Sequence, residues 1–516
     1  MSKELIKFAL AIVGVILGWV VIVPVFEFPD EQAHFGSISY LVSHNSMPVY
    51  DKLDLTLEMA ETQRLLGVFR NDLGQNKYTY HPEYHPEYTN TMIGLYEDEI
   101  KSLNTSENRG TYVGSEAAKY PPLYYVLSSL YTRLVNQSDI ITRVFASRLI
   151  NLDIAVLMAL VVWHIGILIF NQKIYAKLLT FLVMLQPMMS FVTGGINSDN
   201  LHDLLFFTII YLGLRIIKFE LKFKDLLTLV IVIGLDIYTK PQGFIGIAVA
   251  SLSVLLAVIR SRKWKMLGWT LLIGLGAILV AGSQWETYRG LFSVSNIHGA
   301  TFIEYLRFTA NKLVAQNVVW YWGVFKWLGV VLPPIYWRVA NRIVLVSVIG
   351  LVVYWWRILK KKTTIADPYS IFFVLCSSIL YALIIFWYDW QHTKQNGYSL
   401  GIQARYFFPT IVAHMSILLT GIMSLTSNLK VQSWLRTGLV LLFTWLQLGG
   451  IWRVISIYYP GTNLSEIITM ASQYKPELIK GEWWYVWILI YLVSLLYLVK
   501  NVLIEHKPVK VGQNLR

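Results

Sequence analysis

Two adjacent carboxylates follow the first apolar run of this 516-residue sequence. Asp30 and Glu31 lie in the segment Phe28–Phe35, which reads FPDEQAHF. A carboxylate in such a position suits general-base chemistry, in which it takes a proton from a reacting hydroxyl group. His34 follows Asp30 by four residues and shares a helix face with it if a helix begins at Pro29. Acids in a first helical turn also interact favourably with the helix dipole, so an ordinary helix start accounts for the same pattern.

A second acidic motif lies farther along the chain, in the sequence GGINSDNLHD. Asp199, His202 and Asp203 are three to four residues apart at the start of a predicted helix. Asn197 or Ser198 as a cap of that helix is the purely structural interpretation. Ionisable residues at this depth in an apolar sequence are costly and indicate a functional site.

Three cations lie in segments that the topology below assigns to the side opposite the basic loops. Arg148 precedes an apolar run, Lys240 lies in YTKP, and Arg405 lies in QARYFFP. Basic residues on that side run against the positive-inside trend, so each requires a reason. A shared anion such as a lipid phosphate is one reason, and simple pairing with Asp30 or Asp199 is the other.

The elements that position these residues are predicted from composition. The chain is 55% hydrophobic and 15% charged, with a mean hydropathy of +0.51, whereas soluble domains carry about 25% charged residues. A membrane span needs roughly 20 mainly apolar residues. The sequence predicts an all-α polytopic membrane protein with about twelve spans. The predicted spans are about 8–26, 149–170, 178–193, 201–217, 226–239, 243–259, 267–285, 340–356, 369–387, 408–425, 435–454 and 483–499.

The loops between these runs alternate in charge. Lysine and arginine concentrate in every second loop, which predicts that those loops and both termini are cytoplasmic. The extracytoplasmic side then receives a large first loop, 27–148. Within it, 122–127 is predicted as a juxtamembrane helix on the membrane surface, and the HPEYHPEY repeat within 80–88 as a proline-interrupted surface loop. The other predicted outer segments are 286–339, 388–407 and 455–482.

Charge and cysteine content exclude several classes of protein. The net charge of +13 comes mainly from short loops beside apolar runs, so membrane topology accounts for it and no nucleic-acid partner is predicted. The single cysteine, Cys376, excludes an internal disulfide and a thiolate metal site. The sequence has neither a phosphate-binding glycine loop nor a dinucleotide fingerprint. The first run lacks a small-residue cleavage site, which favours a retained helix over a signal peptide.

In series, these motifs resemble the GT-C superfamily of membrane glycosyltransferases. The series is PDEQAHF after the first run, YPPLYY before the run led by Arg148, then NSD, TKP and ARYFFP. It is most similar to an uncharacterised bacterial membrane family of that clan, which shows PDE-x-x-H and G-R-Y-F-x-P motifs. The resemblance covers about residues 1–410, and Ala404 stands where the family usually has glycine.

The resemblance implies a sugar donor on a polyprenyl phosphate and an acidic catalytic base at the end of the first helix. Carried over to this chain, the base is Asp30, with Glu31 as the adjacent candidate. A phosphate leaving group is a weak base, so its departure requires cations and hydrogen bonds rather than a general acid. One base on the face opposite the departing phosphate predicts inversion at the anomeric carbon. The residues expected at the donor phosphate are Arg148, Lys240, Arg405 and Tyr406, with His34 and Tyr120 in support.

No cofactor is predicted with certainty, and a divalent metal is left open, since some members of the superfamily use one and others do not. Asp30 and Asp199 are its expected ligands, with His202 as a third. Oxygen and imidazole ligands favour Mn or Mg over softer metals.

The leading hypothesis is a glycosyltransferase of a bacterial inner or plasma membrane. Its acceptor is expected to be a cell-envelope glycan, a teichoic acid-like polymer or a protein, on the extracytoplasmic side. Residues 1–285 are predicted as the catalytic helix module and 286–516 as a variable module that contributes the ARYFFP segment. The alternative is a flippase or transporter of lipid-linked saccharides. A polysaccharide polymerase or ligase is less favoured, since 388–407 and 455–482 carry little arginine.

Overall fold

The chain is a bundle of helices. The structure is a computed structural model, and it describes residues 3–49, 52–70, 88, 94–219, 222–264, 268, 274–276, 282, 294–326 and 328–504. The helices described before residue 265 are α1 (Lys3–Ile22), α2 (Glu31–His44), α3 (Leu57–Leu65), α4 (Glu97–Ser102), α5 (Ser106–Gly110), α6 (Leu123–Leu134), α7 (Ile140–Arg148), α8 (Ile150–Phe170), α9 (Lys173–Met184), α10 (Pro187–Gly194), α11 (Asp199–Phe219), α12 (Phe223–Ile237) and α13 (Ile245–Ser261). Those described after residue 293 are α14 (Phe302–Lys312), α15 (Val318–Trp320), α16 (Pro334–Leu359), α17 (Pro368–Asn396), α18 (Ile411–Ser424), α19 (Leu429–Tyr458), α20 (Leu464–Ala471) and α21 (Trp483–Leu503).

Shorter elements join these helices. Three 3₁₀ segments are Pro241–Phe244, Ala404–Thr410 and Glu477–Ile479, and a π-helical turn is Leu313–Asn317. Two antiparallel pairs of short strands are β1 (Leu55–Thr56) with β2 (Tyr112–Gly114), and β3 (Val324–Phe325) with β4 (Val330–Val331).

The all-α polytopic fold class predicted from the sequence is confirmed. In the described part of the chain, nine helices are long and apolar enough to cross a membrane. They correspond to nine of the twelve predicted runs. Of the other three, the run 226–239 is the 15-residue helix α12, and the run 267–285 falls almost entirely outside the described residues.

The remaining predicted run, 178–193, is broken. α9 and α10 are bent by 64° where they meet. The break follows from the residues Gln186 and Pro187. Pro187 has no backbone N–H and ends one helix while starting the next, and the side chain of Gln186 caps α10 by accepting a hydrogen bond from the backbone N–H of Met189 at 2.6 Å.

The described part of the predicted outer segment 27–148 consists of the helices α2 to α7 and the strand pair β1 and β2. The expected juxtamembrane helix at 122–127 is longer than predicted and forms α6. The HPEYHPEY repeat lies outside the described residues except for Tyr88. The Tyr88 ring packs against the rings of Tyr458, Tyr459 and Tyr474, with centroid distances of 5.7–6.2 Å.

Small residues allow the main helices to approach closely. A methyl group added at Gly14 or Gly18 of α1 would collide with Ser494 or Tyr491 of α21. Close packing of backbones across small residues is the usual basis of helix association in a bilayer. α1 and α21 are therefore direct neighbours, and this packing helps to fix the end of α1 and the turn that follows it.

Candidate active site

The turn that follows α1 is held by two cations from distant parts of the chain. Arg148, the last residue of α7, and Lys475 donate hydrogen bonds to backbone carbonyl oxygens at 2.7–3.0 Å. The final carbonyl groups of a helix have no partner within it and carry its negative end, so both cations stabilise this end. The acceptors are Val20, Val23 and Pro24 for Arg148, and Val21 and Val23 for Lys475. The turn leads directly to the two adjacent acids.

Glu31 forms a closed ion pair with Arg148, called here the Glu31 pair. Nε and Nη2 of Arg148 donate to the two carboxylate oxygens of Glu31 at 2.8 and 2.7 Å, and both side chains are 0% exposed. The backbone N–H of Phe26 donates to the same carboxylate at 2.9 Å. With the carbonyl contacts above, every nitrogen of the Arg148 guanidinium already donates to a protein acceptor. The pair therefore leaves no donor of Arg148 for a ligand in this arrangement.

Asp30 points the other way and remains accessible. Its backbone is left-handed, with φ 59° and ψ 14°, a conformation that is uncommon outside glycine and clusters at active sites. One carboxylate oxygen accepts from Nη2 of Arg405 at 2.5 Å and the other from Nη1 of Arg70 at 3.3 Å. The Asp30 side chain is 28% exposed, whereas those of Arg405 and Arg70 are 3% and 6% exposed. A substrate hydroxyl can therefore reach this carboxylate.

Asp199 and Lys240 complete the group. Lys240 forms an ion pair with one carboxylate oxygen of Asp199, and Nε of Arg405 lies 4.0 Å from the other. We call Asp30, Arg70, Asp199, Lys240 and Arg405 the Asp30 cluster. Within this set three cations face two carboxylates, and the Glu116 carboxyl group lies at its edge, 3.8 Å from Arg70.

Hydrogen bonds of Asn197, in the loop between α10 and α11, hold Asp199 near Asp30. The side-chain amide of Asn197 donates to the backbone carbonyl of Pro29 at 3.3 Å, while its oxygen accepts from the backbone N–H of Asp199 at 2.9 Å. The Asn197 backbone N–H donates to the hydroxyl of Tyr124 at 3.0 Å. Asn197 is therefore more than a helix cap, because it connects the two acidic motifs.

Two tyrosine rings flank the cations. Nζ of Lys240 lies 5.4 Å from the ring centroid of Tyr120 and 5.8 Å from that of Tyr406, and the guanidinium carbon of Arg405 lies 5.7 Å from the Tyr406 ring. A cation near an aromatic face is attracted by the ring quadrupole, more strongly when both are shielded from water. The rings hold the cations in place without neutralising them.

The protonation states suit a base. Burial alone raises the pKa of Asp30, but neighbouring Arg405 and Arg70 outweigh it, so this pKa lies below its ordinary value. Burial lowers the pKa of His34 to about 4, and its Nδ1 is hydrogen-bonded to Tyr125 at 3.0 Å. At neutral pH Asp30 is a carboxylate and His34 is uncharged. Burial raises the pKa of Glu116, which lies 3.8 Å from Arg70, to about 7.

An apolar cavity begins at Lys240 and Tyr406. It has a volume of about 220 Å³ and continues away from the cations between α13 and α17. Its apolar walls are Pro241, Phe244, Ile245, Ile384, Ile385, Leu400 and Ile402, and Tyr120, Gln242, Tyr388 and Asp389 also line it. A cavity with a cationic end and an aliphatic body fits an amphipathic anion. We call it the Lys240 cavity.

A second set of acids lies behind the Asp30 cluster. Nδ1 of His202 is 2.6 Å from Asp236 and its Nε2 is 3.1 Å from the hydroxyl of Tyr381. His202 therefore does not join Asp199, although the two are three residues apart. Asp203 is buried, and within the described part of the chain its carboxylate oxygens have no hydrogen-bond partner.

The donor set does not fit a Mn or Mg ion in this arrangement. Asp30 and Asp199 face Arg405 and Lys240, and His202 is turned to Asp236. Among the described residues, no group of three or more His, Cys, Asp or Glu side chains is disposed to hold a metal ion. A metal at Asp30 and Asp199 would have to displace both cations.

The structure thus brings together most of the predicted site residues. These are Asp30, Asp199, Lys240, Arg405, Tyr406, Tyr120 and His34. Glu31 and Arg148 form their own pair, and His202 faces a different partner. Since the roles predicted for these residues are not tested by the geometry alone, they stay predictions.

Sequence reasoning missed Arg70, Glu116 and Asp236. Arg70 follows Val68 and Phe69 in a segment with no motif, so its sequence carries no signal of a site. The sequence around Asp236 did carry a signal of a site, since this carboxylate lies inside an apolar run, where an acid is costly. Such a residue indicates function by the same argument that selected Asp199.

Fold and site together define a multi-pass membrane protein with a partly open acid–cation cluster beside an apolar cavity. The chain belongs to the family described as Predicted membrane protein (DUF2142), whose sequence model matches residues 13–413. This range contains every member of the Asp30 cluster. No curated protein matches the chain in sequence.

Several solved structures are similar in fold. The oligosaccharyltransferase of Archaeoglobus fulgidus, complexed with Zn and sulfate, is 10% identical over 88% of this chain and 54% of that one, with a TM-score of 0.44. This chain thus spans about half of that protein. ArnT from Cupriavidus metallidurans, bound to undecaprenyl phosphate, is 11% identical over 98% and 78% of the two chains, with a TM-score of 0.40. At these TM-scores the likenesses carry no argument about activity.

Proposed function

We propose that this protein is a GT-C glycosyltransferase that moves a sugar from a polyprenyl-phosphate donor to an acceptor hydroxyl or amide of the cell envelope. The observation that carries the proposal is one accessible carboxylate, Asp30, paired with the buried Arg405 in a cluster whose Lys240 lines an apolar cavity. The carboxylate supplies a base, the cations supply a phosphate site, and the cavity accommodates the first part of an isoprenoid chain.

The reaction follows from these groups. The acceptor oxygen or nitrogen attacks the anomeric carbon, and its proton passes to the Asp30 carboxylate. The bond between the anomeric carbon and the phosphate oxygen breaks, and its electron pair leaves with the phosphate. Arg405 and Lys240 stabilise the negative charge that develops on this phosphate, so a general acid is not required. Attack opposite the leaving group inverts the anomeric configuration.

Donor binding requires an exchange of partners. Without a ligand, Arg405 and Lys240 are paired with Asp30 and Asp199. A donor phosphate that enters through the Lys240 cavity competes with these carboxylates for the same cations. As Arg405 turns toward the phosphate, the Asp30 carboxylate is released to accept a proton. Tyr406, which lines the cavity, supplies a hydroxyl donor at its mouth.

We place the Asp30 cluster on the extracytoplasmic side of a bacterial cell membrane, with both termini in the cytoplasm. The acceptor is proposed to be a glycan, a teichoic acid-like polymer or a protein. Arg405 belongs to the module 286–516 and the other cluster members to 1–285, so the proposed modules share the site. For Glu31 and Arg148 we propose a positioning function, since both are fully buried and engaged.

A flippase or transporter of lipid-linked saccharides is the second candidate. The observation that favours it is the 64° break between α9 and α10, because transporters build substrate sites from discontinuous helices. Gly195 and Ile196, just beyond α10, contact Asn151 and Glu31 of the site region. The same break, however, also serves to place the Asp199 loop.

The deciding experiment is single-turnover transfer in liposomes that contain radiolabelled polyprenyl-phosphate sugars. Wild type is compared with Lys240→Gln, and Lys52→Gln at an exposed lysine is the matched control. We expect wild type and the control to release labelled sugar to an acceptor. Lys240→Gln is expected to need about ten times more donor, the equivalent of roughly 1.4 kcal/mol of phosphate binding.

Two other results would change the assignment. Movement of intact labelled lipid across the bilayer with no transfer from any donor would favour the flippase. Equal donor dependence of Lys240→Gln and Lys52→Gln would remove Lys240 from the phosphate site while leaving the transferase intact.

A further inference from the structure

A second cavity lies on the other side of the 3₁₀ segment Ala404–Thr410. It has a volume of about 420 Å³, within the range of about 300–1,000 Å³ that is typical of small-molecule sites. In a 3₁₀ helix, residues three apart share a face. Ala404 and Phe407 line this cavity, whereas Tyr406 lines the Lys240 cavity. One short segment therefore separates two cavities, and we call the second one the Asn317 cavity.

The Asn317 cavity opens sideways toward the lipid. Its rim includes Val318, Val344 and Val348, which are 42%, 37% and 52% exposed. The last two belong to α16. Only 17% of the most apolar stretch of this helix is buried, the lowest share among the nine candidate spans of the described residues. Other apolar residues of α16 are also exposed, so this helix borders the hydrocarbon region. An occupant of the cavity enters from the bilayer.

The lining is uncharged but has polar groups. Among the described residues that line it, there is no lysine, arginine, aspartate or glutamate. The hydroxyl of Tyr321 lies 3.1 Å from Nδ1 of His414, and the indole N–H of Trp322 donates to Asn341 at 2.7 Å. An anionic headgroup finds no counter-charge here, unlike in the Lys240 cavity.

One polar group has no partner among the described residues. The side-chain oxygen of Asn317 is buried and has no hydrogen bond, and the residue as a whole is only 6% exposed. Asn317 ends the π-helical turn Leu313–Asn317, and such turns occur frequently at functional sites. A buried carbonyl oxygen without a partner is costly, and the hydroxyl of a bound molecule would satisfy it.

We propose that the Asn317 cavity binds an uncharged, hydroxyl-bearing membrane lipid of the diacylglycerol type. An acyl chain fills the apolar body, and the free hydroxyl donates to the oxygen of Asn317. This lipid is distinct from the donor, whose phosphate requires the cations on the other side of the segment. The site goes beyond the proposed transferase reaction and stands or falls independently of it, since its test measures binding and not transfer.

The test measures retention of radiolabelled dioleoylglycerol by the purified full-length protein in detergent micelles. Two variants on the same helix are compared, Val348→Trp at the rim and Val352→Trp one turn away, which is 66% exposed and does not line the cavity. We expect wild type and Val352→Trp to retain about one lipid per chain and Val348→Trp to lose at least tenfold in affinity. Equal retention by both variants indicates partition into the micelle only and overturns the site.

The headgroup is tested separately. Wild type is expected to prefer dioleoylglycerol over its 3-acetyl derivative by several-fold, because only the first has a hydroxyl to donate. Asn317→Leu should keep chain binding and lose this preference. Competition by a polyprenyl phosphate as strong as that by dioleoylglycerol would instead assign the cavity to the donor chain and overturn the proposal.

Discussion

Asp30 and Glu31 are neighbours in the chain, but they belong to two ion-pair groups with opposite properties. Glu31 and Arg148 are fully buried, and every nitrogen of the arginine already donates to a protein acceptor. Asp30 is partly exposed and shares Arg405 with Asp199, whose other partner, Lys240, lines a cavity. The comparison teaches that the function of an ion pair in a membrane protein depends on whether its charged groups can still bind a ligand. A saturated pair fixes geometry, whereas an accessible pair can exchange partners with a ligand.

The largest expected effect is on the rate of transfer in Asp30→Asn. An amide cannot take the acceptor proton, so we expect the single-turnover rate to fall by about 10²–10⁴-fold, the usual contribution of a general base. Thermal stability should fall less than in Glu31→Gln, because Asp30 is 28% exposed and its partners Arg405 and Arg70 keep Asp199 and Glu116 within 4.0 Å. Asp98→Asn, at an exposed acid, is the matched control. A variant that keeps more than a tenth of the wild-type rate contradicts the assignment.

The opposite result is expected for Glu31→Gln. Removing this charge leaves Arg148 buried and unpaired, which costs about 3–5 kcal/mol in comparable cases. The variant should lose thermal stability and yield of inserted protein, measured by thermal denaturation in detergent. The double variant Glu31→Gln with Arg148→Met should recover part of the loss, since no buried charge remains. A stable but inactive Glu31→Gln would instead return Glu31 to the list of candidate bases.

A smaller effect distinguishes the two arginines of the Asp30 cluster. Arg70 stabilises the charged form of Asp30, so Arg70→Gln raises the pKa of Asp30. Activity is lost when this carboxylate is protonated, and the acid limb of the pH–rate profile therefore moves to higher pH. The rate at pH 8 should change little. Arg64→Gln, at an exposed arginine of α3, should leave the profile unchanged, and an identical profile for Arg70→Gln would remove Arg70 from the site.

The smallest effect concerns Glu116. Burial raises its pKa to about 7, so the folded protein retains a proton that the unfolded chain releases near the ordinary value. The folded state thus binds more protons, and its stability falls as pH rises between these two values. Glu116→Gln removes this loss. The melting temperature of Glu116→Gln minus that of wild type should therefore be larger at pH 8 than at pH 5. A difference that does not change with pH would contradict the assignment.

Much of the fold is predictable because hydropathy is local. Roughly 20 apolar residues in succession indicate a span whatever the rest of the chain does, and nine of the predicted runs are spans by that measure. The break between α9 and α10 has a local signal too, since Gln186 and Pro187 interrupt the run. A scan for apolar length alone passes over it because both neighbours are apolar.

The site is less predictable because its contacts are not local. Adjacent acids look equivalent in sequence, and only the left-handed backbone at Asp30 turns one carboxylate outward and leaves the other inside. Arg405 meets Asp30 from 375 residues away, which no spacing rule anticipates. The assignment of His202 beside Asp199 rested on helical spacing, but the nearby Asp236 lies on a different helix and takes the imidazole.

The cations bound to the end of α1 have a consequence for how the protein is made. α1 is synthesised before either of these cations, yet its terminal carbonyl groups are bound by Arg148 and by Lys475, and it packs on α21. Lys475 is synthesised only after Arg405 and the rest of the Asp30 cluster. During translation the turn that leads to Asp30 therefore lacks its second support until Lys475 has emerged. A chain that ends between Arg405 and Lys475 holds all five cluster residues, but of the two cations only Arg148 supports that turn.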